Sequence, residues 1–134
     1  YLRHWLEMGA RIAHPPALLL VNWFRKDGGT FLWPGYGENM RVLKWIIDRC
    51  EGRASATETP VGWTPRVGDL DLRGLDAGRA AVAAALRVDL GEWRHELASQ
   101  AEWFERLGPT LPRALELQRQ LLIASVETAS DVAG

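Results

Sequence analysis

Aromatic side chains and glycines crowd together between Asn22 and Asn39, in a pattern that could bind a flat heterocyclic base. Five aromatic residues lie in this stretch: Trp23, Phe24, Phe31, Trp33 and Tyr36. A purine inserted between two aromatic faces gains roughly 1 to 3 kcal/mol per stacking contact, and glycines at the adjacent turns let backbone groups approach the base edge. The carboxamide of Asn39 can both donate and accept a hydrogen bond. The stretch therefore predicts a purine-binding site.

The elements that must position these residues are mostly helical. Apolar residues recur at helical spacing in five segments, near residues 2–13, 43–50, 80–88, 89–107 and from 112 onward. Asp89, with Glu92 three residues later, predicts a capping box at the start of the fourth helix.

The remaining segments predict little regular structure apart from one β-hairpin. Residues 18–24 are apolar on both alternating faces, which predicts a buried strand. The polar, glycine-rich break at residues 25–29 is followed by β-forming residues, which predicts the hairpin. Residues 53–78 are rich in Gly, Pro, Thr and Asp, so they predict a long surface connection.

Bulk properties narrow the classes of partner. The chain has 134 residues and a formal net charge of -1, which supplies no positive field for a nucleic acid or an anionic membrane. The single cysteine, Cys50, cannot form an internal disulfide, and its place on an apolar helical face predicts that it is a small core residue. A free thiol is typical of a reducing compartment, so a cytoplasmic location is predicted. Because Tyr1 already lies within a helical pattern, we expect the chain to be part of a longer protein.

The sequence motifs of residues 21–45 are similar to those of a known family. The pieces WFRKD, FLWPGYGEN and RVLKW within VNWFRKDGGTFLWPGYGENMRVLKW resemble the guanine-binding segment of GTP-dependent phosphoenolpyruvate carboxykinases. Shorter similarities occur at residues 59–62 and 69–76. The resemblance assigns supporting backbone roles to two glycines of the second turn, Gly35 and Gly37.

The resemblance also assigns roles to side chains. It implies that Phe24 and Tyr36 stack on the two faces of guanine, that Phe31 closes the edge of the pocket, and that Asn39 hydrogen-bonds to the base. The family usually has phenylalanine where this chain has Tyr36, a difference that keeps the stacking face and adds a hydroxyl.

At the level of the whole protein, the resemblance implies an α/β fold of which this chain is a mostly α-helical piece with one β-hairpin. Residues 1–134 would be the C-terminal portion of a single nucleotide-binding domain, with a guanine-binding segment at about 21–45 and a helical tail at about 77–134. The intact enzyme would be a decarboxylating lyase of gluconeogenesis that converts oxaloacetate and GTP to phosphoenolpyruvate, CO2 and GDP.

The same resemblance implies Mn²⁺ and Mg²⁺ in the intact enzyme, bound outside this chain by upstream residues, and a monomeric state. No G-x-x-x-x-G-K-[ST] motif occurs in the sequence. The chain alone would hold no catalytic residue and no metal ligand, and would be inactive. Its partners would be a guanine nucleotide and the upstream remainder of the same enzyme.

Alternatives remain open at this point. A carboxamide can present either its NH2 or its C=O group, so Asn39 alone cannot choose guanine over adenine unless groups around Gly35 and Phe24 fix its orientation. Trp23 and Trp33 are assigned to packing. The alternative function is a noncatalytic helical interaction module whose aromatic hairpin binds a protein.

Overall fold

The computed structural model describes residues 1–133, which divide into two compact units. One unit is Ala17–Arg87, and the other combines Tyr1–Pro16 with the chain from Val88 onward. The helical character predicted from the sequence is confirmed by five α-helices in the described part of the chain: α1 (Leu2–Arg11), α2 (Asn39–Cys50), α3 (Arg79–Leu86), α4 (Leu90–Leu107) and α5 (Arg113–Ala133). None of these described helices is long and apolar enough to cross a bilayer.

Helices α4 and α5 pack against each other in the unit that combines Tyr1–Pro16 with the chain from Val88 onward. Helix α4 begins after Asp89, whose side chain accepts a hydrogen bond from the backbone N–H of Glu92 at 3.1 Å, which is the N-cap half of the predicted capping box. Val126 of α5 is fully buried and Leu97 of α4 is nearly so. Arg119 of α5 donates to the backbone carbonyl of Leu97 at 2.7 Å.

The core of the Ala17–Arg87 unit is small. It is built around Trp45 of α2, Val82 of α3, and Leu70 from the segment between these helices, and all three are at least 94% buried. The indole N–H of Trp45 donates to the backbone carbonyl of Ser55 at 3.1 Å. Leu70 lies within residues 53–78, so the prediction that this whole stretch is a surface connection is wrong.

Two short antiparallel hairpins lie in the same unit. A hairpin is confirmed in the predicted region, but its first strand lies within the predicted break instead of at residues 18–24. Its strands β1 (Lys26–Asp27) and β2 (Thr30–Phe31) are joined by a turn of two glycines with positive φ. A second hairpin was not predicted. Its strands are β3 (Thr57–Thr59) and β4 (Gly62–Thr64), with Gly62 at φ 116°.

Two other predictions are wrong. Residues 18–24 do not form a strand, and Leu18 and Leu20 are each 93% exposed. An apolar pattern on both faces is stable as a strand only where neighbouring strands and covering layers exist, and no described segment of this chain pairs with it. Cys50 is exposed rather than buried. Helix α2 directs Trp45 into the core, so the face that carries Ile47 and Cys50 is left outside it, and Ile47 is 53% exposed.

Candidate functional site

The turn that precedes the first hairpin leaves two neighbouring aromatic side chains with different solvent exposure. The side-chain oxygen of Asn22 accepts a hydrogen bond from the backbone N–H of Phe24 at 3.0 Å. Asn side chains stabilise turns in this way by imitating a backbone hydrogen bond. Trp23 is half-buried, whereas Phe24 is 74% exposed.

Arg25 links this turn to the end of α3. Its guanidinium donates to the backbone carbonyls of Ala84 at 3.4 Å and Ala85 at 3.3 Å, and also to the carbonyl of Arg87. The last carbonyls of a helix have no partner within the helix and carry partial negative charge, so a cation is favoured there. The sequence placed Arg25 only within the polar break at residues 25–29, and these contacts were not predicted. Arg25 holds the hairpin against α3.

Phe31, at the end of β2, has contacts on two sides. Its ring lies 6.3 Å from that of Phe24, centroid to centroid, in an edge-to-face arrangement at 64°. The ammonium group of Lys26 lies 4.5 Å from the centroid of the same ring, within the range of a cation–π interaction. These contacts hold Phe31 in place while it remains 51% exposed.

The second turn depends on the backbone of Gly35. Its φ of 130° and ψ of −176° belong to a region that is open essentially only to glycine. Its carbonyl accepts a hydrogen bond from the N–H of Glu38 at 3.1 Å, which closes a single 3₁₀ turn over Tyr36–Glu38. Tyr36 is 91% exposed on this turn. Gly37 does not have a positive φ, so only Gly35 has a backbone conformation that requires glycine.

Asn39, the first residue of α2, is tied to Trp33. The indole N–H of Trp33 donates to the side-chain oxygen of Asn39 at 2.8 Å. Trp33 is only 8% exposed and its ring lies 5.8 Å from the ring of Trp23, at 49°. The packing roles assigned to the two tryptophans remain consistent with this pair, but the hydrogen bond to Asn39 was not predicted.

Arg41 fixes the first turn of α2 to the loop that follows Leu70. Its Nε atom donates to Glu38 at 2.5 Å, and its Nη1 atom donates to the backbone carbonyls of Asp71 at 2.5 Å and Arg73 at 2.9 Å. The guanidinium and backbone N–H of Arg73 hydrogen-bond to the Asp71 carboxylate and hold its pKa well below the usual range. The start of α2, and with it Asn39, is therefore anchored on two sides.

The structure brings some of the sequence-predicted residues together directly. Phe24 and Phe31 are in ring contact, whereas Asn39 reaches the aromatic segment through Trp33. Tyr36 takes part in none of the ring pairs found within the described segment. The signal that could have revealed the role of Trp33 is its spacing of six residues from Asn39 across a Pro-Gly turn.

Other surfaces offer less chemistry. A shallow groove in the Ala17–Arg87 unit contains none of the predicted site residues and is lined by Asp27, Pro65, Arg66, Val67, Ala83, Ala84, Leu86 and Arg87. Among the described residues, no three His, Cys, Asp or Glu side chains gather in a group that could hold a metal ion.

Comparison with known proteins defines the class of this chain. The family described as the phosphoenolpyruvate carboxykinase C-terminal P-loop domain, of the GTP-dependent type, matches residues 1–124. The chain therefore belongs to the family of GTP-dependent phosphoenolpyruvate carboxykinases.

Individual relatives agree with this assignment. A phosphoenolpyruvate carboxykinase [GTP] of Anaeromyxobacter sp. (strain K) is 62% identical over 133 residues, which cover 98% of this chain and 22% of the relative. The carboxykinase [GTP] of Paenarthrobacter aurescens (strain TC1) is 52% identical over 87% of this chain and 20% of its own length. That of Corynebacterium kroppenstedtii is 44% identical over 97% of this chain and 21% of its own length. The chain thus spans about a fifth of the length of the curated relatives that it matches.

Proposed function

We propose that this chain supplies guanine recognition to a GTP-dependent phosphoenolpyruvate carboxykinase. The reaction of the whole enzyme would convert oxaloacetate and GTP to phosphoenolpyruvate, CO2 and GDP, as a step of gluconeogenesis in the cytoplasm. Phe24 and Tyr36 would stack on the base, Phe31 would close the edge, and Asn39 would hydrogen-bond to the base. Gly35 and Gly37 would supply the backbone of the second turn.

The observation that carries this proposal is the exposure of the three aromatic rings. Phe24, Phe31 and Tyr36 are 74%, 51% and 91% exposed, whereas Trp33 in the same segment is 8% exposed. A hydrophobic core beneath the hairpin would bury these rings. Trp33 packs the segment instead, and the other three rings retain area on which a base could stack.

Catalytic chemistry is assigned to other parts of the enzyme under this proposal. Mn²⁺ and Mg²⁺ would be bound by residues outside this chain and would polarise the transferred phosphoryl group when present. The chain itself would hold the base, and would be inactive alone. The intact enzyme is proposed to be a monomer.

The first test is a titration of the chain with GDP and then ADP, followed by tryptophan fluorescence, because Trp23 and Trp33 lie within the segment. We expect saturable quenching by GDP at concentrations where ADP has little effect. Tyr36→Ala should weaken GDP binding about 5- to 150-fold, since a stacking contact contributes roughly 1 to 3 kcal/mol. Tyr36→Phe should bind GDP nearly as well as the original chain. Tyr1→Ala is a matched control, because Tyr1 is 92% exposed and lies in the other unit.

The same variants should be made in a chimera in which this chain replaces the matching segment of the carboxykinase from Anaeromyxobacter sp. (strain K). Loss of GTP-dependent activity with Tyr36→Ala, but not with Tyr1→Ala, would support the proposal. Equal use of GTP and ATP by the chimera would rule out guanine recognition by this segment. Binding of a protein at the hairpin, with no effect of GDP and no effect of Asn39→Ala on nucleotide binding, would favour the alternative of an interaction module.

A further inference from the structure

The orientation of the Asn39 carboxamide is determined by its neighbour. The indole N–H of Trp33 can only donate a hydrogen bond, so the atom of Asn39 that lies 2.8 Å from it must be the oxygen. The NH2 group of Asn39 then remains for another partner. This removes the ambiguity that a carboxamide considered alone would have.

Reversing the carboxamide would be costly. It would bring the NH2 group of Asn39 against the indole N–H of Trp33, so two donors would face each other. Trp33 is 92% buried, so water has little access to replace the lost acceptor. A buried donor without a partner costs more than the net contribution of an ordinary hydrogen bond. The ring of Trp23, 5.8 Å away, packs beside the indole and helps to hold it in place.

We propose that Trp33 is a specificity-determining positioning residue, which selects guanine over adenine by holding Asn39 with its NH2 group toward the base. Guanine presents the O6 acceptor where adenine presents an N6 amino donor. An NH2 group that cannot turn away therefore bonds to guanine and opposes adenine with a second donor. This inference rests on the proposed function, because it requires that Asn39 faces the base.

The bond also closes the loop that carries Tyr36. Trp33 and Asn39 are the two ends of this loop, and Gly35 supplies its unusual backbone conformation. The interaction that orients the carboxamide therefore also fixes the ends of the segment from which the proposed stacking ring projects.

The test compares Trp33→Phe with Trp45→Phe. Both changes remove an indole N–H from a ring that is more than 90% buried, but Trp45 donates to the backbone carbonyl of Ser55 in the core. Dissociation constants for GDP, IDP and ADP should be measured by equilibrium dialysis with the chain and with the chimera described above. IDP keeps the 6-oxo group of guanine and lacks its 2-amino group, so it isolates recognition at O6.

We expect Trp33→Phe to reduce the preference for GDP over ADP about fivefold to tenfold, as loss of one oriented hydrogen bond implies. The preference for IDP over ADP should fall by the same factor. Trp45→Phe should leave both preferences unchanged. In an Asn39→Ala background, Trp33→Phe should have no further effect on either preference, because Trp33 acts through Asn39.

Three results would overturn the inference while leaving guanine recognition intact. The first is an unchanged preference in Trp33→Phe, even if binding of all three nucleotides weakens together, since that is the result of lost packing. The second is an undiminished effect of Trp33→Phe in the Asn39→Ala background. The third is a preference that falls for GDP but not for IDP. If the unsubstituted protein binds GDP and ADP equally, the proposed function itself fails and the inference fails with it.

A spectroscopic measurement keeps the inference testable if Trp33→Phe does not fold. The seven tryptophans give seven indole N–H signals in a ¹H–¹⁵N spectrum of the unsubstituted protein. Asn39→Ala should shift the Trp33 signal and speed its hydrogen exchange, while the Trp45 signal stays in place. An unchanged Trp33 signal would show that the hydrogen bond does not form in solution and would overturn the inference.

Discussion

A pair of glycine substitutions tests whether the second turn depends on the backbone of Gly35. An added Cβ would meet no heavy atom within 4 Å at either Gly35 or Gly37, so steric contact does not separate the two positions. Only Gly35 has a positive φ, at 130° with ψ at −176°. Placing alanine in such a conformation costs on the order of 1 to 3 kcal/mol. At Gly37, alanine should be neutral or stabilising by about 0.4 to 1 kcal/mol, because it restricts the unfolded chain.

These values predict different behaviour in urea. With a denaturant dependence of about 2 kcal/mol/M, Gly35→Ala should lower the unfolding midpoint by about 0.5 to 1.5 M. Gly37→Ala should leave the midpoint unchanged or raise it slightly. Tryptophan fluorescence reports the transition, because Trp33 and Trp45 are both buried in the unit that contains the turn. If the turn rearranges instead of destabilising the unit, Gly35→Ala should still lose affinity for GDP. The reasoning would be refuted if Gly35→Ala kept both the unfolding midpoint and the GDP affinity of the original chain.

Three further expectations concern the helices and one exposed carboxylate. Val126→Ala should destabilise the α4–α5 pair by about 1 to 3 kcal/mol in urea unfolding, because Val126 is fully buried. Leu121→Ala should change the stability little, because Leu121 is 62% exposed. Equal losses of stability in the two variants would contradict this packing. Asp89→Ala should cost about 1 kcal/mol and reduce helical circular dichroism by removing the side-chain cap of α4, and no change in either would exclude the cap. The lowered pKa of Asp71 means that its stabilising effect is fully present above its unfolded pKa near 3.8 and is lost as pH falls through the lower folded value. A ¹³C carboxyl titration should show that Arg73→Gln raises this pKa, and an unchanged pKa would rule out Arg73 as the cause.

Local patterns predicted the helices well because their signals lie within the helices themselves. The cap at Asp89 and the positive φ of Gly108 occur where the sequence placed the ends of α4. The apolar run at residues 18–24 predicted a strand wrongly, because apolar alternation indicates that a segment needs covering surfaces but does not supply them. The second hairpin was missed because its strands contain a single hydrophobic side chain, Trp63, and so show no apolar alternation.

The candidate site was predictable as a set of residue types but not as a geometry. Phe24, Phe31, Tyr36 and Asn39 could be chosen from the sequence through resemblance, and their roles stay predictions. The direction of the Asn39 carboxamide depends on a hydrogen bond to Trp33, a contact between side chains that no propensity encodes. The anchoring of the hairpin by Arg25 likewise depends on carbonyl groups about 60 residues away in the chain.

The unit Ala17–Arg87 is continuous in sequence, whereas the other unit is assembled from two separate stretches of the chain. Every residue proposed to recognise the base lies within that continuous stretch. In a gene, this means that one uninterrupted run of codons carries the whole proposed recognition element, together with its anchor Arg25 and the α3 carbonyls that Arg25 binds. A single recombination event with crossovers on either side of that run could transfer a nucleotide preference between related genes, and it would keep Arg25 with the α3 carbonyls and Trp33 with Asn39.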